Sequence, residues 1–329
     1  MANETWNIEQ LTRLSYRTEF QVNQPLQLFA LHYPEFDHYW QLEIDQRFTG
    51  DAGKYFDAVG KFARDEPRKQ ALERSTFTFD ENLHGTYANF TASVNAANNG
   101  KSRAWGPVSV PNIEPIGPKP PVSTPQEDDF TWGVGEDADV VTSSFCADIR
   151  DSVWVYKNWF KGLAFGERTP RWFCPPAVSR VSRSLALAVH ETQHKQGVRI
   201  GSESVFPTWA LWLGLKLSYP PQPAYMRPHE ADYEEFKEDT YRDPAKWLDT
   251  TEIPWFGFSP EQSKDGVSHG NPQANADRGL TWWWVSVFPN KVMDVWLGND
   301  VNATRWPSML AARDGKVYIP NFALHPVKV

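Results

Sequence analysis

Residues 185–197 read LALAVHETQHKQG and contain His190-Glu191-x-x-His194. On a helix, residues four apart stand one turn apart on one face, so two imidazoles at this spacing can hold one metal ion. The intervening carboxylate of Glu191 is then placed to take a proton from a metal-bound water. The chemistry on offer is hydrolysis, because zinc lowers the pKa of its water enough to make a nucleophile near neutral pH. A catalytic zinc needs a third protein ligand. The downstream candidate is Glu230 in PHEADYEEF, with His229, Asp232 and Glu234 as rivals.

Over these five residues the stretch resembles the zincin metallopeptidase signature. The resemblance implies His190 and His194 as zinc ligands and Glu191 as general base. Two positions depart from it. Zincins carry a bulky apolar residue where this chain has Thr192, and they disfavour a basic residue where it has Lys195. Gly197 matches the metzincin continuation, but Ile200 stands where those enzymes place their third histidine. A carboxylate from a later helix, as in gluzincins, is the remaining option, and it is what brings Glu230 forward.

The element that must position the pair is a helix over this region. Counting about 100° per residue from Val178 puts Val181, Leu185, Ala188, Val189 and Thr192 on one arc, the expected core face. His190 and His194 fall off that arc, with Arg180 and Arg183 on the same side. Guanidinium groups beside the pair oppose a dication. A polar or interfacial face is therefore expected here, without catalytic zinc.

Other chemistry is thinner. Glu35-x-x-His38 and Glu191-x-x-His194 together mimic half of a di-iron carboxylate set, but two further glutamate-bearing helices are not apparent. Gly50 to Lys54, GDAGK, has too few residues between its glycines for a phosphate loop, and Tyr55 replaces the needed Ser or Thr. The WWW cluster at 282–284 fits a buried strand or an interface.

The 329 residues carry a formal charge of −8, with the acids spread along the chain. No Lys/Arg block exists, so at most weak nucleic-acid contact is expected. The longest apolar run, WALWLGL, is far short of a membrane span, and the first twenty residues lack a basic start followed by an apolar stretch. Cys146 and Cys174 do not form a Cys-x-x-Cys pair, which argues against a disulfide scaffold and favours reduced thiols in the cytoplasm. Asn89-Phe-Thr91 and Asn302-Ala-Thr304 fit the N-glycosylation pattern, which carries meaning only in a secreted protein.

Sixteen Trp and 26 Pro are unusual, and aromatic residues make up 14% of the chain. Aromatics supply contact area at low entropic cost and are enriched in interfaces, so assembly is the inference from composition. Helices are expected over 34–48 and 52–65, the second interrupted at Pro67. From 107 to 125 seven prolines in nineteen residues exclude a helix or a central strand. That gives three parts: a helical region 1–106, a proline-rich arm or linker 107–128, and a helical, aromatic-rich region 129–329 packed with the first as one unit. The acidic run QEDDFTWGVGEDAD follows the prolines, a charged helix is expected around 228–243, a loop over 252–280, and a strand at LTWWWVSVF. The expected fold is mainly α with a few strands (α+β), irregular, with a proline-rich extended arm.

The helical front region FARDEPRKQALERSTFTFDENLHGTYANF, the proline arm and the aromatic-rich second half resemble, in overall style, the capsid proteins of partitivirus-like double-stranded RNA viruses. That resemblance implies a self-assembling coat protein that partners itself, encloses a double-stranded RNA genome, needs no cofactor, and is found in the cytoplasm or the virion. The alternative is a zinc-dependent metallopeptidase using His190, Glu191, His194 and Glu230.

Overall fold

The computed structural model describes residues 22–43, 47–48, 52–68, 85–97, 104–142, 146–149, 156–174, 179–219, 311–313, 316–318 and 323–324. Glu230 and its rivals, the tryptophans at 282–284, and the expected helix and loop between 228 and 280 lie outside these residues.

A four-stranded mixed sheet organises the described chain. Its strands are β1 (His38–Gln41), β3 (Val140–Thr142), β7 (Ser179–Ser182) and β9 (Leu217–Ser218), in the order β1-β7-β3-β9. Strand β7 is antiparallel to both β1 and β3, pairing His38 with Ser182 and Val140 with Val181, while β3 and β9 run parallel with Val140 beside Leu217. Strands β1, β3 and β9 therefore share one direction, and their amino ends meet at one edge of the sheet. Two-residue strands fill in around this sheet: β2 (Arg47–Phe48), β4 (Ala147–Asp148), β5 (Phe160–Lys161), β6 (Trp172–Phe173) and β8 (Arg199–Ile200).

Helices cover both faces. Alternation along each strand sends Tyr39, Val140, Val181 and Leu217 to one side, where they join Leu185, Val189, Trp209 and Trp212 in the large core. Those partners come from α4 (Arg183–Gln196) and α5 (Val205–Leu213), with α1 (Gln24–His32) adding Leu26 and Ala30. Trp40 and Val141 turn to the other side and meet Val59 and Ala63 of α2 (Ala52–Asp65). Helix α3 (Tyr87–Ala97) buries Tyr87, Phe90 and Thr91.

The described residues are 42% helix and 15% strand around this mixed sheet, an α+β arrangement rather than the mainly helical fold expected from sequence. Two misreadings account for much of the difference. The expected helix over 34–48 contains strand β1, because Tyr39 and Trp40 are adjacent and pack on opposite faces, a period of two. The aromatic positions 36, 39, 40, 44 and 48 suit a helical face as well, and tertiary pairing with β7 decides between them. The helix carrying the His pair begins at Arg183, not at Val178. Ser182 caps it, its hydroxyl accepting from the Leu185 amide at 3.2 Å, and the four residues before it are β7. The second expected helix coincides with α2, Ala52–Asp65.

The proline segment packs over α5 of its own chain, with a tight turn at Pro111 and Asn112 that bridges Val110 to Ile113. The Val108 amide donates to Leu211 O, and the amides of Ile116 and Gly117 donate to Leu213 O. Val110 and Ile113 are buried in the large core, so the segment is tied down by both backbone and side chains. Gly117 passes so close to the left-handed Gly214 that ends α5 that an added Cβ would lie 1.8 Å from Gly214 O.

Cys146 and Cys174, read from sequence as separate thiols, are joined in a disulfide with Cα atoms 4.3 Å apart. The pairing of β4 with β6, Ala147 opposite Phe173, brings the two flanking cysteines side by side. Sequence separation of 28 residues carries no sign of this, because a cross-strand neighbour is fixed only when the strands pair.

Candidate functional site

Three groups of polar residues could do chemistry. On α4, His190 is half-buried, while Glu191 and His194 are exposed, and the two imidazole rings lie parallel with centroids 6.0 Å apart. Burial pushes His190 below its ordinary pKa, with the nearby His194 acting in the same direction, and its buried Nδ1 has no hydrogen-bond partner among the described residues. Glu191 is not aimed at a shared ligand. Its carboxylate accepts from Lys195 Nζ at 2.5 Å, one turn along the helix, and that hydrogen bond holds its pKa below the usual carboxylate range. No group of three His, Cys, Asp or Glu side chains lies within metal-binding reach among the described residues. The flanking arginines are also placed differently from the helical projection. Arg180 belongs to β7 and donates to Ala138 O, and Arg183 Nε donates to Ala30 O. Glu35 is exposed just before β1 and His38 begins that strand, so this pair does not share a helix with any second set.

The second group seals the amino ends of the parallel strands. Asp139, just before β3, accepts from Ser182 Oγ at 3.0 Å and from the Lys216 amide at 2.9 Å. Asp137 receives a forked pair from Arg64 at 2.8 and 2.9 Å, which holds its carboxyl below the ordinary range. Lys216 is wholly buried and donates from Nζ to three carbonyls, Gly133 and Glu136 at 2.7 Å and Arg64 at 3.2 Å. Arg68 donates to Gly214 O at 2.8 Å and pairs with Glu136. His38 sits in this cluster with its pKa lowered, by burial first and by Arg180 next, against the opposing pull of Asp137 and Asp139. The acidic stretch Glu136 to Asp139 is thus an anchor, binding the loop before β3 to α2 and to the start of β9.

The third group lies at the opposite edge, where β1, β3 and β9 end. The chain leaves β1 through Leu42 and Glu43, with Ile44 and Asp45 following in sequence outside the described residues. Thr142 closes β3 and Ser218 closes β9. Two polar atoms here are buried without a partner among the described residues, Gln41 Oε1 and Ser218 Oγ. An unsatisfied buried polar group costs about 1–3 kcal/mol, so such groups call for a reason. Sequence reading passed over Glu43 because a Glu-x-Asp pair in a presumed helix is an ordinary surface pattern. Its signal is positional and becomes visible once β1 is a strand. Sequence reading also missed Gly266-Val267-Ser268-His269-Gly270, which has the Gly-x-Ser-x-Gly spacing and lies outside the described residues.

Fold and site together define an α+β protein whose mixed sheet is covered on both faces, anchored at one edge and polar at the other. The chain belongs to the family described as Protein of unknown function (DUF3405), whose model matches residues 4–329. No curated protein and no solved structure matches it. Among the described residues no helix is long and apolar enough to cross a membrane.

Proposed function

We propose that the protein is an enzyme that binds a phosphate-bearing substrate through a divalent cation held by Glu43 and Asp45. The observation that carries this is the layout of the sheet. In open, mostly parallel sheets covered by helices, ligands bind beyond the carboxyl ends of the strands. By analogy the end shared by β1, β3 and β9 is the candidate here, with antiparallel β7 between β1 and β3. Here the chain emerges from that end of β1 directly into Glu43, with Asp45 two residues on. A magnesium-type ion is typically held by one or two carboxylates and completes its shell with water and substrate phosphate oxygens. The orphaned Gln41 and Ser218 atoms lie at the same edge and suit a polar ligand.

Calorimetric titration of the full chain with Mn²⁺, then with a nucleoside diphosphate in the presence and absence of the ion, tests this. Expected is diphosphate binding that requires the cation and weakens at least about tenfold, roughly 1.4 kcal/mol, in Glu43→Ala and Asp45→Ala. Absence of cation-dependent binding in the wild-type chain would remove the reading.

A second reading, self-assembly as a structural protein of the coat type, is favoured by a different observation. Val22, Phe29, Leu31, Tyr33, Phe36 and Leu42 are all exposed within one run of the chain, and Phe29 stacks on Tyr33 with centroids 4.2 Å apart. Exposed apolar side chains mark interaction sites where they gather into a patch, and a second copy of the chain is the partner on this reading. Light scattering behind size exclusion discriminates: assembly places the mass well above the 37.7 kDa chain, whereas a clean monomer at micromolar concentration removes the coat. The peptidase alternative is not carried forward, because Glu191 is engaged by Lys195 and no third ligand joins the His pair among the described residues.

A further inference from the structure

We propose that this chain matures in an oxidising secretory compartment and carries an N-linked glycan on Asn89. Two independent features lead there. The first is the Cys146–Cys174 disulfide, whose sulfur-bearing residues are 0% and 2% exposed within the large core. Structural disulfides persist in secreted and lumenal proteins and are rare where cellular thiols stay reduced. Forming it removes two thiol protons and two electrons, which pass to the oxidised disulfide of an exchange partner such as lumenal oxidoreductases supply.

The second feature is the way α3 displays Asn89-Phe90-Thr91. Phe90 and Thr91 are buried, at 0% and 2% exposure, while Asn89 is exposed. Its neighbours on the outer face are Gly85, Thr86, Ala88 and Ala92, all exposed and all small. A sugar attached there projects from the face opposite the buried Phe90 and Thr91. The Thr91 hydroxyl donates to Ala88 O at 2.9 Å inside the folded helix, so transfer precedes the folding of α3. In that step Asn89 Nδ2 attacks the anomeric carbon of a lipid-linked oligosaccharide. The carbon–nitrogen bond forms as the carbon–oxygen bond to the lipid diphosphate breaks. The diphosphate leaves with the electron pair, and the amide proton goes to the transferase's base.

The test uses the full chain isolated from its own cells. Alkylation before reduction and peptide mapping should find Cys146 and Cys174 in one linked pair. Treatment with a peptide amidase that cleaves N-glycans should lower the intact mass and leave aspartate at position 89. Asn89→Gln and Thr91→Ala should each remove one glycan, whereas Thr91→Ser, which keeps the acceptor pattern, should retain it. Unmodified Asn89 in the native chain overturns the proposal, as does a glycan confined to Asn302. Free, alkylated Cys146 and Cys174 overturn it equally.

Discussion

The two edges of the central sheet carry similar residue types and use them in opposite ways. At the amino edge, Arg64 pairs with Asp137 and Arg68 with Glu136, Asp139 accepts from Ser182 and the Lys216 amide, and Lys216 Nζ donates to three carbonyls, so that α2, the loop before β3 and the start of β9 are locked together. At the carboxyl edge, Gln41 Oε1 and Ser218 Oγ have no partner among the described residues, and Glu43 leads away from β1. Charge alone does not tell structure from function. The edges differ in which groups are left over: neutral amide and hydroxyl oxygens at the carboxyl edge, and Arg68 Nε and Arg180 Nε at the amino edge, where Glu136 and Asp137 are paired with arginines.

Substitutions that unbalance either edge sharpen the contrast. The largest effect belongs to Lys216→Met. It leaves three inward carbonyls without their donor, and the expected loss is about 3–5 kcal/mol in denaturant unfolding, with cation binding by the surviving folded fraction unchanged. If Lys216→Met is as stable as wild type, the amino edge is not the anchor.

The disulfide tests the other edge. Cys146 follows the carboxyl end of β3, with its sulfur 3.8 Å from Thr142 Oγ1. Replacing Cys146 and Cys174 together by Ser opens a loop 28 residues long and should lower stability by about 3 kcal/mol. Unchanged unfolding midpoints in oxidised and reduced wild-type protein would show that the amino-edge network suffices alone.

Acid should loosen the amino edge in two stages. His38 has a folded-state pKa below its ordinary 6.5, so the unfolded chain binds its proton more readily. The stability it contributes is complete above pH 6.5 and declines as pH falls from there through the folded value. Asp137, lowered mainly by its hydrogen bonds from Arg64, contributes above its ordinary 3.8 and loses that contribution as pH falls further through its folded value. Urea midpoints against pH should show the first decline in wild type and a flatter profile between pH 6.5 and 5 in His38→Gln. The same slope in both proteins would place the upper stage elsewhere.

The smallest effect is expected on α4. His194→Ala, at an exposed position, should shift stability by no more than about 0.5 kcal/mol and leave the zinc content after dialysis unchanged. Stoichiometric zinc that disappears in this variant would restore the histidine face as a metal site.

Legibility from sequence varied with how local the determinant was. Helix α2 was readable to its ends because Val59 and Ala63 lie one turn apart toward the core and Pro67 follows just beyond the last turn. Leu185, Val189 and Thr192 were placed correctly on the buried side of α4 for the same reason. Strand β1 was not readable, since aromatic residues at 36, 39 and 40 satisfy either period. Nor was the role of Glu136 to Asp139, which in the chain is one more acidic run. The spacing of His190 and His194 drew attention because five residues sufficed to display it, while the Lys195 that engages Glu191 stood in the same stretch.

By itself, then, the sequence determined what depends on neighbours within a turn or two: helical faces, the non-helical path of the prolines, and the glycosylation pattern at Asn89. Only the tertiary structure decided which strands pair, that Cys146 meets Cys174, that Lys216 is buried among carbonyls, and that Glu43 follows the carboxyl end of a strand. Those outcomes join residues tens to more than a hundred positions apart. Their energy is released only once the intervening chain has been ordered, so no short window of residues contains them.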